Sequence, residues 1–132
     1  MNNSYDVAII GCGTAGIFAG YELIARHPEL KICVLDQGGD IYSRHCPIAA
    51  GKVKECIHCS VCDTMCGFGG AGAFSDGKLN TGTHDARIGF VLAEFAAHDA
   101  PEHITYDAKP HIGTDVLVEV VQSLRREALA RG

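Results

Sequence analysis

Gly11, Gly13 and Gly16 are spaced G-x-G-x-x-G, and Asp36 follows 20 positions after the last of them. Those residue types in that order suit a dinucleotide. Gly11 permits a tight turn, Gly13 lets a pyrophosphate approach the backbone, and Gly16 lets a helix pack close to a strand. Thr14 and Ala15 then open the helix, where free N–H groups and the positive dipole end favour phosphate. Asp36, with Gln37 beside it, is placed to hold a ribose hydroxyl and to repel a 2′-phosphate. The alternative is a glycine turn without a ligand and Asp36 as a solvated strand end. Cys12 inside the turn reads as a small side chain, although a helix N-terminus acts to lower a thiol pKa. The pattern does not separate NAD from FAD, because both place an ADP moiety on such a unit.

Cys56, Cys59, Cys62 and Cys66 are spaced C-x2-C-x2-C-x3-C, the ligand spacing of bacterial ferredoxin clusters. Gly67 follows Cys66, whereas Cys46 is followed by Pro47. A single [4Fe–4S] cluster would therefore draw on Cys56, Cys59 and Cys62 with either Cys46 or Cys66. Zinc is a competitor, with four thiolates or three plus His58 or His45. The third alternative is free thiols or a redox pair. Immediately downstream, GFGGAGAFSDGKL carries Gly69, Gly70, Ala71 and Gly72, then Ser75, Asp76 and Lys78. Glycines allow close backbone approach, and a hydroxyl, a carboxylate and an ammonium suit a flavin's edge and ribityl chain. A flexible surface linker is the alternative, but Phe68, Phe74 and Leu79 call for burial. Lys78 would either stabilise a reduced flavin or sit exposed. The seven histidines are scattered, with no Ser-His-Asp or H-E-x-x-H pattern, and read as surface or loop residues.

These segments need elements to position them. YDVAII is a short β-branched apolar run, the pattern of a buried parallel strand. IFAGYELIARH repeats Ile17, Tyr21 and Ile24 at helical spacing and stops before Pro28, and KICVLD is a second strand ending at Asp36. Strand, glycine turn, helix and strand make a βαβ unit over 1–36, with a right-handed crossover. Residues 37–85 carry no period and form a long Cys/Gly-rich cofactor loop. Over 86–132 the sequence predicts a helix at 86–98, a short strand near Ile104, and a last helix capped by Thr114. An acidic first turn and basic last third suit that last helix's dipole.

The 132 residues suffice for one domain, and 47% hydrophobic with 20% charged residues argues against disorder. A net charge of −5 without a basic run argues against nucleic-acid and anionic-membrane partners. The N-terminus lacks the basic and long apolar regions of a signal peptide, and no apolar run has bilayer-spanning length. The expected location is cytoplasmic, where seven cysteines are ligands, redox groups or small hydrophobes rather than disulfides.

GGAGAFSDGKL resembles the hallmark segment of a bacterial family of FAD-dependent dehydrogenases, the uncharacterised NAD(FAD)-utilising dehydrogenases. DVAIIGCGTAGIFAG resembles that family's FAD fingerprint, and KPHIGTDVLVEVVQSLRRE a further family segment. Cys46-Pro47 and the cysteines after it resemble a cysteine-rich variant. The resemblance implies a Rossmann-like α/β flavoprotein in which Gly11, Gly13 and Gly16 hold the FAD pyrophosphate and Asp36 the adenosine ribose. Gly69 to Lys78 would run beside the flavin, and NAD(P) is a possible electron donor to the full-length protein. Family members are several times longer, so the resemblance also implies that this chain is an N-terminal piece of an FAD-binding domain, inactive alone. Two other functions remain open: an iron-sulfur or zinc electron-transfer module, and a non-catalytic fragment.

Overall fold

The computed structural model describes residues 4–131; residues 1–3 and 132, the outermost parts of the expected segments, lie outside it. Its elements in chain order are β1 (Val7–Ile10), α1 (Thr14–Arg26) and β2 (Ile32–Leu35), a 3-10 turn (Ala71–Phe74), α2 (Arg87–Ala97), a second 3-10 turn (Glu102–Thr105) and α3 (Thr114–Arg131). β1 and β2 pair in parallel, Val7 opposite Ile32 through Ile10 opposite Leu35. The described residues thus form an α/β arrangement with a small two-stranded sheet and three α-helices.

α1 lies against the sheet face bearing Ile9 and Val34. Gly20 makes this approach close: a Cβ there would stand 3.6 Å from Ile9 Cδ1 and 3.9 Å from Val34 Cγ2. Side chains alternate along strands, so Ala8, Ile10, Cys33 and Leu35 face the other way. That face is bare: Ile10 is 78% exposed and Leu35 53%. The expected buried strands are therefore parallel but not buried. Among the described residues, no further strand or helix covers the second face, as a parallel sheet requires.

The core sits instead between the helices and the long loop. Ile104, Ile112, Val120 and Leu124 are fully buried, with Tyr21, Ile41, Ala73 and Phe95 around them. Phe68, Phe74 and Leu79 pack against this core, which answers their call for burial. The segment near Ile104 is a 3-10 turn rather than the expected strand. It follows Pro101, and the Ile104 and Tyr106 N–H groups bond back to Pro101 and His103 carbonyls, so the backbone curls on itself instead of extending. Thr114 does not cap α3 with its hydroxyl, which donates to the Ser75 carbonyl at 3.0 Å. The Gly113 carbonyl takes the first helical bond, from Leu117 N–H at 2.9 Å.

His98 is not a surface residue. It ends α2, buried, with Nδ1 2.9 Å from Ser123 Oγ and Nε2 2.9 Å from Glu127 Oε2. It stands edge-on to Tyr21, ring centroids 6.2 Å apart. The side chain therefore ties the end of α2 to α3.

Candidate functional site

The glycine turn takes the shape its spacing predicts. Gly11 has φ +100°, a conformation that disfavours side chains. At Gly16 a Cβ would lie 1.9 Å from the Gly11 carbonyl oxygen, so the helix starts directly beneath the turn. α1 has no side-chain cap and no acidic residue in its first turn. Its positive end, carrying the exposed Thr14 and Ala15, is free to meet an anion.

Asp36 directly follows β2 and gathers backbone rather than side chains. Oδ2 accepts from Cys12 N–H at 2.7 Å, and Oδ1 accepts from Gly38 N–H at 2.9 Å and Gly67 N–H at 2.6 Å. These donors, with Gly38 and Cys12 foremost, hold the carboxyl below its ordinary range. A carboxylate offers about four lone-pair sites, so three donors leave one acceptor position, on Oδ2. Burial and the neighbouring Asp36 charge push the Cys12 thiol up, against the lowering expected at a helix N-terminus.

Gly67 also brings the long loop onto the turn. Gly69 N–H donates to the Cys12 carbonyl at 2.8 Å, and a Cβ at Gly70 would stand 2.7 Å from Gly13 Cα. The neighbour that approaches Gly13 is thus the chain itself. The two glycine segments, 53 residues apart from Gly16 to Gly69, form one surface.

Several cavities adjoin these segments. One of about 480 Å³ lies at the carboxyl ends of the strands, lined by Ile10, Gly11, Leu35, Asp36, Gln37, Met65 and Cys66. Another, about 460 Å³, is lined by Thr14, Gly69, Gly72, Ser75 and Lys78 and by Ile88, Val91, Leu92 and Phe95 of α2. The Gly69–Lys78 stretch is held at its far end too. Gly77 N–H is 3.3 Å from Ser75 Oγ, and Ile112 N–H donates to the Gly77 carbonyl at 2.8 Å. Ala71 opens the 3-10 turn, exposed. Lys78 is exposed and its ammonium lies 2.6 Å from Asp76, which raises the lysine pKa and lowers that of the carboxyl.

The five cysteines named as ligands are not brought together. Cys56, Cys59 and Cys62 are exposed, while Cys46 and Cys66 are half-buried. Among the described residues, no three His, Cys, Asp or Glu side chains converge to hold a metal ion. As arranged, the thiols do not fit a cluster or a zinc ion. Cys66 Sγ instead accepts from Gln37 Nε2 at 3.0 Å.

Two residues in the site left no trace in the sequence. Arg44 is buried at 3% exposure and reaches across the loop. Arg125 of α3 donates to Asp40 at 2.6 Å and lies 4.8 Å over the Phe68 ring. Their acceptors are backbone carbonyls in one case and a carboxylate 85 residues away in the other, so no spacing rule marks them.

No family model matches the chain. It is 40% identical over 119 residues to an uncharacterised protein of Clostridium beijerinckii, covering 90% of this chain and 22% of that protein. Over 57 residues it is 42% identical to a mitochondrial L-2-hydroxyglutarate dehydrogenase of Nematostella vectensis. Over the same length it is 39% identical to the protein of that name from Dictyostelium discoideum. Each of those two matches covers 43% of this chain and 12% of the relative. The chain spans less than a quarter of the length of the curated relatives it matches. Part of it is thus similar to part of those two dehydrogenases. No helix among the described residues is long and apolar enough to cross a membrane.

Proposed function

We propose that the chain is the FAD-binding portion of a flavin-dependent oxidoreductase, its segments 1–36, 37–85 and 86–132 serving as dinucleotide turn, cofactor loop and helical support. The observation that carries this reading is the contact of Gly69 and Gly70 with Cys12 and Gly13. Two segments that suit a cofactor on separate grounds meet there, beside cavities that their residues line. The partial similarity to dehydrogenases points to the same class of chemistry.

The residues present fit such a group. Gly11 and the uncapped N-terminus of α1, with Thr14, Ala15 and Gly16, would receive the pyrophosphate. Asp36, through its one remaining acceptor position, and Gln37 would face the adenosine ribose at the strand-end cavity. Gly69, Gly70, Ala71 and Gly72 keep the loop free of side-chain bulk. Ser75, Asp76 and Lys78 would border the ring system, beside the apolar residues that α2 provides. The cofactor supplies hydride and electron transfer when bound. The chain's part is to orient it and to keep water from the α2 side. In a longer protein NAD(P) would serve as electron donor, with a small-molecule substrate and a cytoplasmic setting.

Titration of the chain with FAD, followed by flavin fluorescence, tests the reading. Saturable quenching at one FAD per chain, weakened in Gly13→Glu, is the expected result. The glutamate would place a negative charge beside the helix N-terminus. No FAD uptake, or equal uptake by Gly13→Glu, would overturn it.

A further inference from the structure

We infer that Arg44 is a positioning residue of the cofactor site, holding the loop Gly67–Phe74 against the glycine turn; this rests on the FAD reading. Arg44 is 3% exposed, yet among the described residues no carboxylate accepts a hydrogen bond from it. Its guanidinium donates to three carbonyls instead: Nε to Asp63 at 2.8 Å, one terminal nitrogen to Phe68 at 2.8 Å, and the other to Thr64 at 3.1 Å. The planar group also lies 4.6 Å over the Phe74 ring.

These partners belong to different stretches. Asp63 and Thr64 lie between Cys62 and Cys66, Phe68 stands near the start of the glycine loop, and Phe74 ends its 3-10 turn. One side chain thus spans the cysteine half and the glycine half of the loop. Its contact is tight, because a Cβ on Gly67 would stand 2.8 Å from Arg44 Cδ. The same stretch carries the bonds that seat it on the turn: Gly67 N–H to Asp36 and Gly69 N–H to Cys12. Arg44 holds the loop by its carbonyls while Asp36 and Cys12 hold it by its amides. A buried polar group persists only when its hydrogen bonds are made. The guanidinium therefore fixes where those three carbonyls sit, and with them the amides that meet the turn. Lysine cannot replace it, since an ammonium lacks the planar fork that reaches three acceptors and stacks on a ring.

The test compares wild type, Arg44→Lys and Phe74→Leu by amide hydrogen exchange and by FAD titration. Arg44→Lys should lose protection at Gly67, Gly69 and Gly70 while α2 and α3 keep theirs. FAD affinity should fall on the order of tenfold or more, as expected for losing charged hydrogen bonds. Phe74→Leu, which keeps the charge and removes the ring, should do the same to a smaller degree, and it decides the matter if Arg44→Lys does not fold. Unchanged exchange at the three glycines, or loss spread equally over α2 and α3, overturns the positioning role. So does an FAD affinity equal to wild type. A wild-type chain that takes up no FAD overturns the cofactor reading and, with it, the role in binding. Unchanged exchange in a chain that does bind FAD overturns the role of Arg44 alone.

Discussion

At Gly16 and Gly77 a single methyl group has nowhere to go. A Cβ would lie 1.9 Å from the Gly11 carbonyl oxygen in the first case and 1.5 Å from the Ile112 carbonyl oxygen in the second, where φ is also +77°. Gly16→Ala should destabilise the chain by roughly 1–3 kcal/mol or more, the ordinary cost of overpacking, as read from urea denaturation. Gly89→Ala is the control, because in α2 its Cβ meets nothing within 4 Å. It should stabilise by about 0.4–1 kcal/mol through the unfolded chain. Asp36 sets a pH dependence. Its three backbone N–H donors lower its folded pKa beneath the ordinary 3.8. Its contribution is therefore complete above that value and lost as pH falls through the lower folded one. Asp36→Asn should be less stable than wild type at neutral pH, and the gap should close in acid. A gap that stays constant from pH 7 to pH 2 would count against the backbone-latch role.

At the level of elements, α3 supports everything else. Val120 and Leu124 are fully buried on one of its faces, and Arg125 and Gln122 reach Asp40 at 2.6 and 3.3 Å from another part of the helix. The Arg125 bond is the main cause of the lowered Asp40 pKa. The helix thus joins the core to the start of the long loop. Leu124→Ala should cost about 2–5 kcal/mol by leaving a cavity, measured as a shift in denaturation midpoint. Arg125→Met should cost less overall. It should loosen residues near Asp40 and Phe68 first, seen as faster amide exchange there than in α2. The loop itself is held by Asp36 at Gly67 and by Ile112 at Gly77, which explains how so many residues without regular structure stay in one place.

For the whole molecule, the open sheet face is the unusual feature. Ile10 is 78% exposed and Leu35 53%, side by side in register, and a two-stranded sheet is marginal without packing. The chain should bind a hydrophobic dye such as ANS in its native state. Leu35→Glu should reduce that fluorescence markedly without lowering the melting temperature, because the leucine contributes little to the core. Undiminished dye binding in the variant would place the exposed apolar surface elsewhere.

The amino-acid order alone determined the local pieces. It set the βαβ start, since apolar runs, turn glycines and helical spacing are short-range signals that act on neighbouring residues. It marked helices at 86–98 and after Thr114 for the same reason, and it required burial of Phe68, Phe74 and Leu79. Only the tertiary structure decided what those pieces touch. The meeting of Gly70 with Gly13, the latch at Asp36 and the burial of Arg44 depend on backbone groups far apart in the chain, which carry no residue-type signature. The exposure of the strands was likewise beyond the pattern, because an apolar run states a preference for burial and not whether a covering layer is there. The cysteine spacing shows the same limit in reverse. It records a possible ligand set, while convergence of thiols is decided by the loop's path, and here that path leaves them apart.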